Sequence, residues 1–179
     1  MDFSTLFPKL QPWVENLVRV WPAYIVKPQF AQWEVGHILS LFILLGCLTM
    51  INLRLLGTGL VSEPVSVIYK NVKWWLLVGV VGVIVTGILI GMANAERLYA
   101  STAFLVKMIG LAAAIIFTYV VTVPVAKAEG HLNTTARIGA IVGLVLWAIA
   151  VMIFGSLKGA IAPGVLHIVF FAAMMVTAA

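Results

Sequence analysis

FAQWEVGHILSLFILLGCLTMINLRLL, residues 30–56, decides the fold. It holds 27 residues between Pro28 and Gly57, with Glu34 and Arg54 the charges, each near an end. As a helix it measures about 40 Å at 1.5 Å per residue, enough to cross roughly 30 Å of hydrocarbon with some tilt. A segment this long and this apolar belongs in a bilayer, where a backbone must satisfy its own hydrogen bonds and a helix is the simplest way to do so.

The rest of the chain repeats the pattern. Apolar runs at 74–95, 102–126 and 137–154 are separated by polar or glycine- and proline-containing linkers. A last run, 161–179, carries no charge and at about 28 Å is just long enough to span. The expectation is an all-α integral membrane helix bundle forming a single domain, 1–179, with about five transmembrane helices. Composition agrees: 63% of the 179 residues are hydrophobic and 9% are charged, and mean hydropathy is +1.14.

Residues 1–29 read differently. Trp13, Val14, Leu17, Val18, Trp21 and Ile25 recur at helical spacing, with Glu15, Asn16 and Arg19 on the other side. This predicts an amphipathic surface helix over 10–25, its Trp13, Trp21 and Tyr24 suited to the headgroup layer. The N-terminal stretch shows no basic region followed by an apolar one, so no cleavable signal is expected.

The net charge of +5 is dispersed rather than gathered into a stripe. It speaks for headgroup contact and membrane orientation, not for nucleic acid. The single cysteine, Cys47, rules out an internal disulfide, and no CxxC or CxxCH motif supports zinc or covalently attached haem. Cys47 and Met50, three apart, form a weak candidate for soft copper ligation, although such residues in an apolar helix are more often plain packing.

Ionisable side chains at membrane depth are costly and therefore point to function. His37 lies seven residues past Phe30, and His167 six past Ile161, in APGVLHIVFFAAMM (162–175). Five spans begin the first and last helices on the same side, here called side one. Both histidines then sit about 10 Å below that surface. Arg97, in the linker before the third span, and Lys107, just inside it, share the level. Two imidazoles at matched depth with cations beside them suit a haem b held on both faces, with Arg97 and Lys107 for its propionates. Lys107 snorkelling to the headgroups and a histidine that only bonds a neighbouring helix are the plain alternatives. His131, in KAEGHLNTTARIG (127–139), reads as a solvated loop histidine before a helix that Asn133 or Thr134 caps.

The second run reads GVVGVIVTGILIG over 79–91. Gly87 with Gly91, and Gly139 with Gly143 in the fourth run, make GxxxG steps. Small residues let helix backbones approach in lipid; a glycine face also leaves room for a flat ring.

Two stretches carry a resemblance. VENLVRVWPAYIVKPQFAQWEVGHILSLFILLGCLTMINLRLLG (14–57) has His37 and Leu39 early in a span, and Leu53, Arg54, Leu55, Leu56 and Gly57 closing it. ERLYASTAFLVKMIGLAAA (96–114) carries Tyr99, Phe104 and Lys107, with Ser101 where asparagine is expected. Together they resemble a family of small, uncharacterised bacterial multi-span membrane proteins, itself distantly similar to the cytochrome-b and copper-resistance-D class of four-helix bundles. The resemblance covers about the first 125 residues and leaves His167 outside.

The expected function is a membrane-embedded b-type haem protein transferring electrons, alone or as a subunit of a larger redox complex. His37 and His167 would be the iron ligands. The other expectation is a cofactor-free accessory subunit bound to a larger membrane complex. No catalytic constellation marks a free-standing enzyme. The bilayer, and a membrane protein partner or a second copy, are the expected contacts, in the bacterial inner membrane. Side two holds Arg54, Lys70, Lys73, Lys127 and Arg137, against Lys27, Arg97 and Lys158 on side one. Leaving out Lys107 and the surface helix, this places side two in the cytoplasm and the N-terminus in the periplasm; counting Lys107, Lys9 and Arg19 reverses it.

Overall fold

A computed structural model describes residues 2–128 and 133–152, all helix and connecting turns, with no strand among them. Four helices are long and apolar enough to cross a membrane: Ala23–Leu56, Val65–Ala93, Thr102–Lys127 and Thr134–Val151. The expected fifth span, 161–179, lies outside the described residues.

The N-terminal segment is helical but broken. It runs α1 (Phe3–Leu6), a 3-10 turn (Pro8–Leu10), α2 (Gln11–Leu17), α3 (Ala23–Val26) and a second 3-10 turn (Lys27–Gln29). The single helix expected over 10–25 does not form. Pro22 lacks an N–H and its ring crowds the carbonyl four residues earlier, so the chain turns between α2 and α3. Trp13, Trp21 and Tyr24 remain more than half exposed, as residues of a headgroup layer would be.

Helix α4 (Phe30–Leu56) matches its sequence boundaries. It ends on Gly57 at φ 77°, a left-handed conformation that glycine adopts without strain. The Gly57 N–H donates to the Arg54 carbonyl at 3.0 Å and the Thr58 N–H to Leu53 at 3.1 Å, closing the last turn. Arg54 Nε donates to the Glu63 carbonyl and ties the loop back. The Leu-Arg-Leu-Leu-Gly ending is thus a helix stop, with Leu55 buried in the core.

Helix α5 (Val65–Ala93) begins well before the apolar run at 74. Pro64, extended at φ −61° and ψ 144°, precedes it as N-cap, and its first turns carry Tyr69, Lys70 and Lys73. A short α6 (Ala95–Tyr99) leads to α7 (Thr102–Phe117), capped by Ser101. A π-helical turn, Thr118–Thr122, then joins α8 (Val123–Lys127). Pro124 explains the π-turn: it supplies no donor to the preceding turn, and the wider spacing relieves its clash. Helix α9 (Thr134–Met152) starts with the Ala136 N–H on Asn133 Oδ1 at 2.8 Å, the cap expected from the linker.

Helix α4 packs against α5 along its length and against α9, which in turn packs on α7. Close approach depends on Gly79 and Gly82. A Cβ at Gly79 would lie 2.7 Å from the Leu44 backbone nitrogen, and one at Gly82 would lie 2.4 Å from Ser40 Oγ. The two GxxxG steps play other parts. A Cβ at Gly91 would meet nothing within 4 Å, and Gly139 makes only ordinary contact with Val121. The buried residues of α4 fall between Leu44 and Leu55, so this helix contributes its side-two half to the apolar core. Cys47 belongs to that core and Met50 packs against it; no group of three His, Cys, Asp or Glu that could hold a metal occurs among the described residues.

The N-terminal segment covers the side-one end. Tyr99 Oη donates to the Phe7 carbonyl, and the Phe3 and Phe104 rings lie 5.9 Å apart. Packing of α2 on α6 and of α3 on α5 completes the cover.

Because the Gly79 contact is with backbone, Gly79→Ala should destabilise the bundle by about 1–3 kcal/mol. Gly91→Ala should leave stability nearly unchanged. Thermal unfolding in mild detergent measures both, and equal midpoints for the two variants would contradict the seam.

Candidate functional site

Toward side one the bundle opens into a cavity of about 480 Å³, a volume typical of cofactor and small-molecule sites. Helix α4 contributes Glu34 and His37, α5 contributes Gly87 and Gly91, α7 contributes Phe104, Lys107 and Met108, and α9 contributes Trp147. The rest of the wall is mainly aliphatic.

His37 is the most closely defined group in it. Its half-buried ring stands against α5, where Nδ1 lies 2.7 Å from Thr86 Oγ1. A hydroxyl has one proton, and that of Thr86 goes to the Gly82 carbonyl at 2.5 Å. Thr86 therefore accepts, and His37 Nδ1–H donates. The remaining nitrogen, Nε2, then carries a lone pair. This is how histidines that bind metal are commonly prepared: one nitrogen is held by a hydrogen bond, and the other is left as the ligand.

Gly87 makes this placement possible. A Cβ there would lie 3.4 Å from His37 Cε1, so the ring edge rests on a bare stretch of helix. Open space at Gly91 continues the same wall. Of the two roles that glycine spacing allows, Gly87 and Gly91 take the one that makes room. Gly143 instead lies near Asn52, Phe117 and Thr122.

The four residues singled out in the sequence separate. His37 and Lys107 come together on one cavity. Arg97 is exposed on α6 and is not among the lining residues. It follows the helix stop at Asn94, where α6 turns it toward the surface. His167 lies outside the described residues, as does His131. Thr86 was not anticipated, although a signal existed: a lone hydroxyl in VIVTGIL, seven residues before the end of α5, matches the depth of His37 from the same surface.

A family model described as a family of unknown function, DUF6644, matches residues 25–161. It takes in His37, Thr86 and Lys107 and stops before His167. It begins later and runs further than the resemblance read from the sequence, and it shows the unknown-function family alone. No curated protein and no solved structure matches the chain.

The tautomer is directly measurable. Nitrogen-15 spectra of the imidazole in lipid should show His37 protonated at Nδ1 and bare at Nε2. Thr86→Val, which keeps the volume but removes the acceptor, should shift the ring toward the other tautomer. A wild-type His37 bare at Nδ1 would overturn the assignment.

Proposed function

For this chain, which belongs to the DUF6644 family, we propose a membrane-embedded b-type haem protein that transfers electrons within the bilayer, alone or as a subunit of a larger redox assembly. One observation carries the reading: an imidazole with Nδ1–H held by Thr86 and Nε2 left as a ligand, on the wall of an apolar cavity inside the membrane.

The residues fit the group on several counts. The cavity wall is mostly aliphatic and aromatic, as a macrocycle requires, and Gly87 and Gly91 leave it flat beside His37. Lys107 is a cation among the lining residues, suited to a propionate. Arg97 is not, and Lys107 alone is kept in that role. His37 Nε2 would hold the iron on one face, and His167 is the sequence's candidate for the other. Bound haem would supply one-electron chemistry. The protein's part is to orient His37 through Thr86, exclude water with the apolar wall, and close the side-one end with the N-terminal segment.

The membrane we propose is the bacterial inner membrane, with the N-terminus and the cavity on the periplasmic face. Reporter fusions after Thr58 should then behave as cytoplasmic and fusions after Tyr99 as periplasmic; the reverse would invert the sidedness without moving the cavity.

Purified protein expressed with ample haem should show a Soret band, with visible bands that sharpen on dithionite reduction. His37→Ala should abolish the six-coordinate spectrum. His131→Ala should not. A spectrum that survives His167→Ala would remove that residue as a ligand. Protein without haem under these conditions would exclude the reading and favour the accessory subunit.

A further inference from the structure

Away from the His37 cavity, in the side-two half, three spans converge on a buried amide. Asn52 is 1% exposed. Its Nδ2 donates to the Leu48 carbonyl at 2.8 Å, while its Oδ1 is fully buried with no hydrogen-bond partner. Turning the amide over would set oxygen against the Leu48 oxygen, so Nδ2 and Oδ1 are fixed as they stand. An acceptor in a membrane interior without a donor is strongly unfavourable.

Oδ1 lies beside the bare backbone of Gly143. The position of a Cβ there is 3.5 Å from Asn52 Oδ1, 3.6 Å from Thr122 Oγ1 and 3.5 Å from Phe117 Cε1. Two oxygens and one ring edge thus surround a point where glycine leaves no side chain. Thr122, 3% exposed, closes the π-turn that Pro124 imposes on this span. Thr118 and Thr122, four residues apart, share one face and are both buried in the bundle interior.

We propose that a single water molecule is bound beside Gly143, donating to Asn52 Oδ1 and hydrogen-bonded to Thr122 Oγ1. A buried water needs two to four polar partners, and these two provide the minimum. A metal cation is a poorer occupant: hard cations take six or more oxygens, usually including carboxylate, whereas Phe117 closes one side here. The water links α4 to the π-turn beside α9, supplying the donor that Asn52 lacks.

The site also bears on the cavity. One turn from Thr122, Thr118 Oγ1 donates to the Ala114 carbonyl at 2.8 Å and accepts from Trp147 Nε1 at 2.9 Å. Trp147 is part of the His37 cavity wall. The Gly143 site thus lies one helical turn from the hydroxyl that holds Trp147. This inference stands on the bundle alone and does not require haem.

Two measurements decide it. In lipid nanodiscs, the Asn52 side-chain amide should show a cross-relaxation signal to a long-lived water; its absence would overturn the proposal. Gly143→Ala gives the second. The added methyl has van der Waals room and alanine favours helix, so without a water this variant should hold or raise the melting temperature. With the water displaced, it should lower the melting temperature by several degrees. In an Asn52→Leu background, where the unpaired Oδ1 is gone and Thr122 alone cannot hold the water, that loss should vanish. A Gly143→Ala that stabilises both backgrounds equally would refute the site. If Asn52→Leu does not fold, the wild-type water signal decides.

Discussion

The close approach of α4 and α5 at Gly79 and Gly82 is the constraint from which the rest follows. In lipid, helices gain nothing from burying apolar surface against one another, so they associate where backbones come close enough for dense packing. Gly79 against the Leu44 backbone and Gly82 against Ser40 provide that approach. The same antiparallel register, continued toward side one, sets His37 opposite Thr86 and Gly87. The hydrogen bond that orients the imidazole is a consequence of the seam. Shifted by a residue, the helices would turn Thr86 to another face.

The two halves of the bundle differ for a physical reason. Toward side two, Leu44, Leu48, Ile51 and Leu55 interdigitate with residues of the other spans and fill the interior. Toward side one, glycine at 87 and 91 leaves the wall of α5 bare, and the neighbouring span contributes Lys107 and Met108. A bundle whose helices are equally apolar throughout thus acquires a solid end and a hollow end. The polar groups at the hollow end are few and specifically placed, as expected where each must be satisfied without bulk water.

Proline and glycine set the remaining geometry. Pro22 breaks the N-terminal segment into short helices that fold over the side-one end, with Tyr99 bonded to Phe7 and Phe3 against Phe104. Pro124 follows a turn of the third span with π geometry, whose two ends, Thr118 and Thr122, are buried in the interior. Gly57 stops α4 so that α5 can return beside it. Each is a local rule with a global effect: a cover on the cavity, a polar site in the core and the antiparallel order of the seam.

Membrane residence, the four spans within the described residues and the ends of α4 were legible in the sequence, because length and hydropathy decide whether a helix crosses a bilayer regardless of its neighbours. The shared depth of His37 and Lys107 was legible for the same reason: rise per residue converts sequence position into depth. What the sequence did not determine is which face each helix turns to the others. In a lipid-exposed bundle both faces are apolar, so hydropathy carries little rotational information, and only packing reveals it. Packing gave the tight seam to Gly79 and Gly82 rather than to the GxxxG steps. It put Thr86 on His37, left Arg97 outside the cavity, and buried Asn52 where three spans meet. Depth belongs to the chain; azimuth belongs to the fold, because it is set by where backbones can touch.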